Sequence, residues 1–288
     1  MNNIQDSNNL LKYLEEFVSI YLDSPIENND GGMGFNHSYF TYYVLKEINP
    51  KLVVESGVWK GHSTYLIEKA LPSCELICLD INFEKLIYKS EKATYFDTDF
   101  RNVDWSSVKN IDDSICFFDD HQNSMDRLKE MKWWGFNKCI FEDNYPVNEG
   151  DFYSIKQIQR EVGHENIQLS EEYKPKSIKQ KIKRNIEERV LNKYYFRQNM
   201  IKKPNSVDYA GFSQNISHVE EFPPVIVNEK NIWNKKWDGD YEKKMAILDE
   251  KKLDNFPKFK KYFNSLESEI KKREFEYGYF TYIEFNES

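Results

Sequence analysis

The chain has 288 residues, of which 48 are acidic and 40 basic, for a net charge of -8; 40% are hydrophobic and 16% aromatic. This composition indicates a folded globular protein and excludes a general affinity for nucleic acid. Residues 1–9 lack the basic start and apolar run of a signal peptide, and no stretch is apolar over the length of a membrane span, so we expect a cytoplasmic protein. The four cysteines are expected to be buried thiols; they are Cys74, Cys78, Cys116 and Cys139.

Apolar periodicity predicts two N-terminal helices, over residues 9–22 and 38–48. The loop between them, residues 23–34, contains three glycines. It either folds over a ligand or simply connects the helices. His37 either faces a substrate pocket or caps the second helix.

A buried strand, a turn with two glycines and a helix follow from Leu52 onwards. Gly57 and Gly61 permit a sharp turn and a close approach of a ligand to the backbone. Ser63 or Thr64 is expected to cap the helix, whose free N–H groups favour an anionic or carboxylate-bearing ligand. The spacing is neither that of a phosphate-binding loop nor G-x-G-x-x-G. The alternative is that the glycines serve packing only.

The second predicted strand, residues 75–80, ends in Asp80, some twenty residues after the glycine turn. A carboxylate at that place can accept hydrogen bonds from both hydroxyls of a ribose. Its alternative role is to cap the turn at Asn82. A short third strand over 94–96 precedes Asp99, which we place near an adenine edge.

The next two predicted strands, residues 115–118 and 138–141, each run into acidic residues. Asp119, Asp120 and His121 follow the first of these strands, and Glu142 and Asp143 follow the second. In an open α/β sheet both clusters reach the ligand crevice at the carboxyl edge. Their oxygens suit Mg²⁺ better than Zn²⁺, and His121 could act as general base. The alternative is that these acids cap loops and helices.

The C-terminal half is less regular. A helix is predicted over 152–162 and a strand over 166–170. Residues 174–203 carry eleven basic and two acidic residues, with one apolar stripe, and predict either a solvated helix, a lid over an anionic substrate or a membrane-contacting surface. A strand within 222–227, helices over 241–253 and 258–272, and an antiparallel last strand over 277–285 complete the prediction.

The acidic residue two positions before G-x-x-x-G resembles the first motif of class I S-adenosylmethionine-dependent methyltransferases. Over about residues 30–160, the full set of motifs resembles the cephalosporin hydroxylase and rhamnosyl O-methyltransferase family. The resemblance implies S-adenosylmethionine as cofactor and a Mg²⁺ ion held by Asp119 or Asp120 with Glu142 and Asp143. The predicted cofactor-binding residues are Glu55, Gly57, Gly61, Ser63, Asp80 and Asp99, and the predicted catalytic residues are Asp120 and His121.

The expected architecture is a doubly wound α/β fold with a mostly parallel, seven-stranded sheet. It comprises an N-terminal helical cap (1–50), a cofactor-binding core (51–173), a basic helical insertion (174–275) and a last strand (276–288). The expected function is O-methylation of a small hydroxylated acceptor, such as a sugar, with an anionic acceptor suggested by the basic segment. The alternatives are a metal-dependent hydrolase or hydroxylase and a non-catalytic binding protein that uses the basic helix. Self-association is compatible with the sequence.

Overall fold

The computed structural model describes residues 10–146, 149–159, 213–231, 236–237, 243–249 and 251–286. The predicted strand over 166–170 and the basic segment 174–203 lie outside these ranges. Within them, no helix combines the length and the apolar character needed to cross a membrane.

Helices and strands alternate along most of the described chain. The α-helices are α1 (Leu14–Leu22), α2 (Phe35–Ile48), α3 (His62–Ala70), α4 (Ser124–Trp134), α5 (Ile155–Gln159), α6 (Pro257–Ser265) and α7 (Ser268–Glu274). The β-strands are β1 (Leu52–Ser56), β2 (Glu75–Asp80), β3 (Ala93–Asp97), β4 (Ser114–Phe118), β5 (Lys138–Phe141), β6 (Ile216–Glu221) and β7 (Thr281–Phe285).

Local sequence explains several of the helix ends. The Asn123 side chain accepts hydrogen bonds from the first N–H groups of α4, and Gly135 ends that helix in the left-handed conformation, at φ +87°. Pro257 stands at the first position of α6, where its missing N–H costs no helical hydrogen bond.

The strands form one seven-stranded sheet in the order β3-β2-β1-β4-β5-β7-β6. The first five strands are mutually parallel, and β7 runs antiparallel to both of its neighbours. Ser56 is paired with Leu79 and with Phe118, and Phe118 is paired with Phe141. The carboxyl ends of β1, β2, β4 and β5 are therefore level at one edge of the sheet.

Apolar side chains cover both faces of the sheet. Val53 of β1 belongs to a buried cluster with residues of α1, α2 and α3. Its neighbours Leu52 and Val54 point the other way and belong to a second cluster, which includes Leu128 of α4 and Ile155 of α5. The predicted doubly wound α/β architecture with an antiparallel last strand is thus confirmed.

Several predicted boundaries differ from the structure in the N-terminal half. Helix α1 begins at Leu14 instead of residue 9, and α2 begins at Phe35 instead of residue 38. The earlier start of α2 places His37 in its first turn, and the cap position is occupied by Gly34 without a side-chain hydrogen bond. The capping interpretation of His37 is therefore wrong. In the described part of the predicted helix 152–162, the helix is confined to α5.

The C-terminal strands and helices also differ. The predicted strand within 222–227 is wrong, because Pro223 and Pro224 have no N–H for a ladder; β6 precedes them and joins the sheet from within the predicted insertion. Residues 243–249 are not helical; Ile247 N–H instead bonds to the Pro224 carbonyl. The predicted helix 258–272 is two helices, α6 and α7. Strand β7 starts only at Thr281, because Tyr279 has a left-handed φ of +66°.

Candidate active site

A cavity of about 1340 Å³ opens at the carboxyl edge of the sheet. The glycine turn and the acidic strand ends meet on its wall, as the positions of the strand ends predict. Of the predicted site residues, those that line it are Gly57, Asp80, Asp99, Asp119, Asp120, His121, Glu142 and Asp143. Glu55, Gly61 and Ser63 do not line it.

The two glycines of the turn allow close packing of protein backbone against protein backbone. Both adopt left-handed conformations, with φ of +92° at Gly57 and +87° at Gly61. A Cβ atom on Gly57 would lie 2.1 Å from the carbonyl oxygen of Asp119, and one on Gly61 would lie 2.2 Å from that of Tyr88. The expected turn is confirmed, but the close approach is that of neighbouring chain segments.

Glu55, on β1, binds side chains in the first turn of α3. Its carboxylate is fully buried and accepts hydrogen bonds from Ser63 Oγ at 2.5 Å, from Thr64 Oγ1 at 2.7 Å and from Cys78 Sγ at 3.2 Å. Burial raises the pKa of Glu55. The two hydroxyls bond to Glu55 and leave the cap position to Gly61, so the predicted Ser63 or Thr64 cap is wrong.

Asp80, at the end of β2, binds the backbone of the turn between β1 and α3. Its Oδ2 accepts the backbone N–H groups of Val58 and Trp59, both at 2.9 Å, and its Oδ1 accepts the N–H of Asn82 at 2.9 Å. The alternative role in capping the turn at Asn82 is therefore realised. A carboxylate offers about four acceptor sites, so roughly one is left for a ligand hydroxyl.

Asp120 and Asp99 are engaged by one buried arginine. Arg127, on α4, is fully buried; its Nε lies 2.9 Å from Asp120 Oδ2, and its Nη1 and Nη2 lie 2.9 and 2.8 Å from the two oxygens of Asp99. Ser56 Oγ donates to the same Asp120 oxygen at 2.6 Å. Burial opposes ionisation of Asp99, but Arg127 lowers its pKa below the usual value. Both carboxylates thus act first as partners of Arg127.

The carboxylates of Asp119, Glu142 and Asp143 repel one another, and those of Glu142 and Asp143 each place an oxygen within 4.8 Å of the other and of a nitrogen of His37. Burial, and then the charge of Glu142, raises the pKa of Asp119 well above its ordinary value and that of Asp143 to about 8. Asp143 accepts a hydrogen bond from Tyr145 Oη at 2.5 Å. Burial opposes ionisation of Glu142, but His37 lowers its pKa. Excess negative charge at this point favours a bound cation.

His37, in the first turn of α2, lies beside Glu142 and Asp143. Its Nδ1 contacts Glu142 Oε1, and the N–H of Gly278 donates to its Nε2 at 2.7 Å. Burial opposes protonation of His37, whereas the Glu142 and Asp143 carboxylates raise its pKa. Protonation would point an N–H at the N–H of Gly278, so the latter contact favours the neutral ring.

His121 lies at the edge of this group, between Asp119 and Asp151. Its Nδ1 lies 2.9 Å from Asp151 Oδ1 and its Nε2 lies 3.8 Å from Asp119 Oδ1. Burial opposes the positive charge, but the Asp151 and Asp119 carboxylates raise the pKa of His121. The role of His121 as general base stays a prediction.

The glycine-rich loop also lines the cavity. Lys60 Nζ donates to the Asn28 carbonyl at 2.6 Å, and a Cβ atom on Gly32 would lie 2.8 Å from the Trp59 ring. The loop therefore packs on the turn between β1 and α3, and its folding over a ligand stays a prediction. Trp59 also lines the cavity and has a left-handed φ of +47°. It is not among the residues predicted from the sequence, and the feature that points to it is its position between Gly57 and Gly61.

No family model matches the sequence, and no curated protein matches it. Several solved structures resemble the chain. One is the SAH-bound methyltransferase PaMTH1 of Podospora anserina, with a TM-score of 0.38 and 12% identity over 76% of this chain and 83% of that one. Another is a methyltransferase from Geobacter sulfurreducens, with a TM-score of 0.34 and 18% identity over 51% of this chain and 83% of that one. An apo structure of CmcI has a TM-score of 0.33 and 11% identity over 73% of this chain and 67% of that one.

The fold is Rossmann-like. Its seven strands and its antiparallel β7 form the mostly parallel sheet that the sequence predicts.

Proposed function

We propose that this protein is an S-adenosylmethionine-dependent O-methyltransferase that uses a divalent cation, with Mg²⁺ as the expected ion. The observation that carries the proposal is the convergence of the glycine turn, Asp80 and three mutually repelling carboxylates on one cavity. Methyl transfer to oxygen requires a held donor, an oriented hydroxyl and a base that takes up the hydroxyl proton as the C–O bond forms and the C–S bond breaks. The cavity has a candidate for each.

The carboxylates fit a hard divalent cation. Asp119 follows β4, and Glu142 and Asp143 follow β5, so the neighbouring strand ends hold their backbones close together. All three offer oxygen ligands, which Mg²⁺ prefers. Burial and the charge of Glu142 raise the pKa values of Asp119 and Asp143. A bound cation would offset this repulsion and favour the ionised carboxylates. A bound cation would lower the pKa of a coordinated acceptor hydroxyl.

Asp119, and not Asp120, is the ligand that we propose from β4. The Asp120 carboxylate is already bonded to Arg127 and Ser56. Burial, and then the charge of Glu142, raises the pKa of Asp119, and a cation beside it would favour its ionised form.

The donor would lie along the turn and the start of α3. When bound, S-adenosylmethionine would supply the methyl group on its sulfonium. Asp80 has acceptor capacity for one ribose hydroxyl beyond its three N–H partners. Glu55, Gly61 and Ser63, which resemble cofactor-binding residues by motif, would act by holding the turn in shape.

The acceptor that we propose is a small, uncharged, hydroxylated molecule, such as a sugar. Ten acidic residues line the described wall of the cavity, against one arginine, Arg273, which is paired with Asp30 at 2.9 Å. Such a wall repels an anion. It therefore favours an uncharged acceptor over the anionic one suggested by the basic segment.

The test uses the purified full chain and two assays. We expect saturable, one-to-one binding of S-adenosylhomocysteine by isothermal titration. We also expect Mg²⁺-dependent formation of S-adenosylhomocysteine from S-adenosylmethionine with a panel of neutral sugars, but not with their phosphates. The Glu142→Gln variant should keep the binding and lose the metal-dependent turnover.

Absence of S-adenosylhomocysteine binding would overturn the proposal. Metal-dependent turnover without S-adenosylhomocysteine as product would instead favour a hydrolase or hydroxylase on this fold. The non-catalytic alternative depends on the basic helix, which lies outside the described residues; it would gain if the Glu142→Gln variant kept its cellular role.

A further inference from the structure

His37 is held between two elements that are far apart in sequence. It lies in the first turn of α2 and is only 6% exposed. Its Nδ1 contacts Glu142 Oε1 at the end of β5, and its Nε2 receives the N–H of Gly278, just before β7, at 2.7 Å. Both ring nitrogens therefore have a partner.

The Gly278 contact determines which nitrogen carries the proton. A backbone N–H can only donate, so Nε2 must be the accepting, unprotonated nitrogen. In a neutral imidazole the other nitrogen, Nδ1, then carries the hydrogen and donates it to Glu142.

This tautomer argues against His37 as a direct metal ligand. One nitrogen of His37 and one oxygen each of Glu142 and Asp143 lie within 4.8 Å of one another, as metal ligands do. A cation on Nδ1, however, would require Nε2 to carry the proton, and that proton would meet the N–H of Gly278.

We propose that His37 is a positioning residue that orients the Glu142 carboxylate toward the divalent cation, with its tautomer set by Gly278. This inference rests on the metal site of the proposed function. A ligating carboxylate that is itself hydrogen-bonded keeps one oxygen directed at the ion, and loss of such a partner typically weakens metal binding 10- to 100-fold.

Gly278 has a second role at the same point. A Cβ atom there would lie 2.2 Å from Asp143 Oδ1 and 2.8 Å from His37 Cε1. The N–H of Asn144 donates to the Gly278 carbonyl at 2.8 Å and holds this segment against the end of β5. Any side chain at position 278 would therefore displace a metal ligand and its positioning histidine together.

The experiment measures Mn²⁺ binding to the metal-free full chain by electron paramagnetic resonance titration. We compare the wild type with His37→Ala, His37→Asn and His37→Gln. The amide of asparagine can place an N–H near the position of Nδ1, whereas that of glutamine reaches the position of Nε2. We expect the Ala and Gln variants to bind Mn²⁺ about 10- to 100-fold more weakly, and the Asn variant to stay within about threefold of the wild type.

Thermal melting and S-adenosylhomocysteine affinity serve as controls for folding; if the Ala variant does not fold, the Asn and Gln pair decides the question. Wild-type Mn²⁺ affinity in the Ala and Gln variants would overturn the inference and leave the proposed metal site intact. So would a pulsed-resonance signal from a directly bound imidazole nitrogen that His37→Ala removes. A wild-type chain that binds no Mn²⁺ would overturn the metal site itself, and the positioning role with it.

Discussion

At the scale of single residues, two adjacent aspartates have opposite roles because their partners differ. Asp120 neutralises the fully buried Arg127, whereas Asp119 faces other carboxylates. We expect Asp119→Asn to abolish Mn²⁺ binding and to raise the melting temperature of the metal-free protein, because it removes a charge that burial disfavours. Titration with Mn²⁺ and thermal melting in EDTA measure the two effects.

Asp120→Asn is the matched control for this experiment. It weakens the pairing of Arg127, so we expect a loss of about 1–3 kcal/mol in the free energy of unfolding with metal binding largely kept. The assignment of Asp119 as ligand is wrong if the two variants exchange these phenotypes.

At the scale of elements, the turn between β1 and α3 depends on Asp80 for its shape as well as for any contact with a ribose. Asp80→Asn retains an oxygen that can accept the N–H groups of Val58 and Trp59, but its NH₂ group cannot accept a ribose hydroxyl. We expect S-adenosylhomocysteine to bind roughly tenfold more weakly to this variant by titration calorimetry, with a small loss of melting temperature because the NH₂ group cannot accept the N–H of Asn82. Asp80→Ala should lose both affinity and stability. If Asp80→Asn binds S-adenosylhomocysteine as tightly as the wild type, Asp80 shapes the turn and does not bind the ribose.

The elements also show what sequence patterns could and could not predict. In a parallel sheet the carboxyl ends of strands share one edge, so Asp80, Asp119 and Glu142 could be placed together from strand positions alone. The choice between Asp119 and Asp120 could not be made, because it depends on where α4 directs Arg127. His37 and Gly278 are 241 residues apart, and no local pattern links them.

At the scale of the whole molecule, the fold brings together charges that repel one another in the absence of a ligand. Burial and the Glu142 charge raise the pKa of Asp143 to about 8, so between about pH 4 and pH 8 the native state binds more protons than the unfolded chain. Stability of the metal-free protein attributable to this group must then fall as the pH rises through that window.

We expect this cost to appear as a difference between the wild type and Asp143→Asn. In EDTA, the variant should gain stability relative to the wild type between pH 5 and pH 8, by a few kcal/mol at most, since one pKa unit corresponds to about 1.4 kcal/mol. Saturating Mg²⁺ should stabilise the wild type at pH 8 and not the variant, because an ion that binds only the folded state stabilises it by mass action. Denaturant unfolding at the two pH values measures both effects. If the difference in free energy of unfolding between the two proteins in EDTA is the same at pH 5 and pH 8, Asp143 does not titrate in this window. Neutralisation of its charge would then contribute nothing to cation binding.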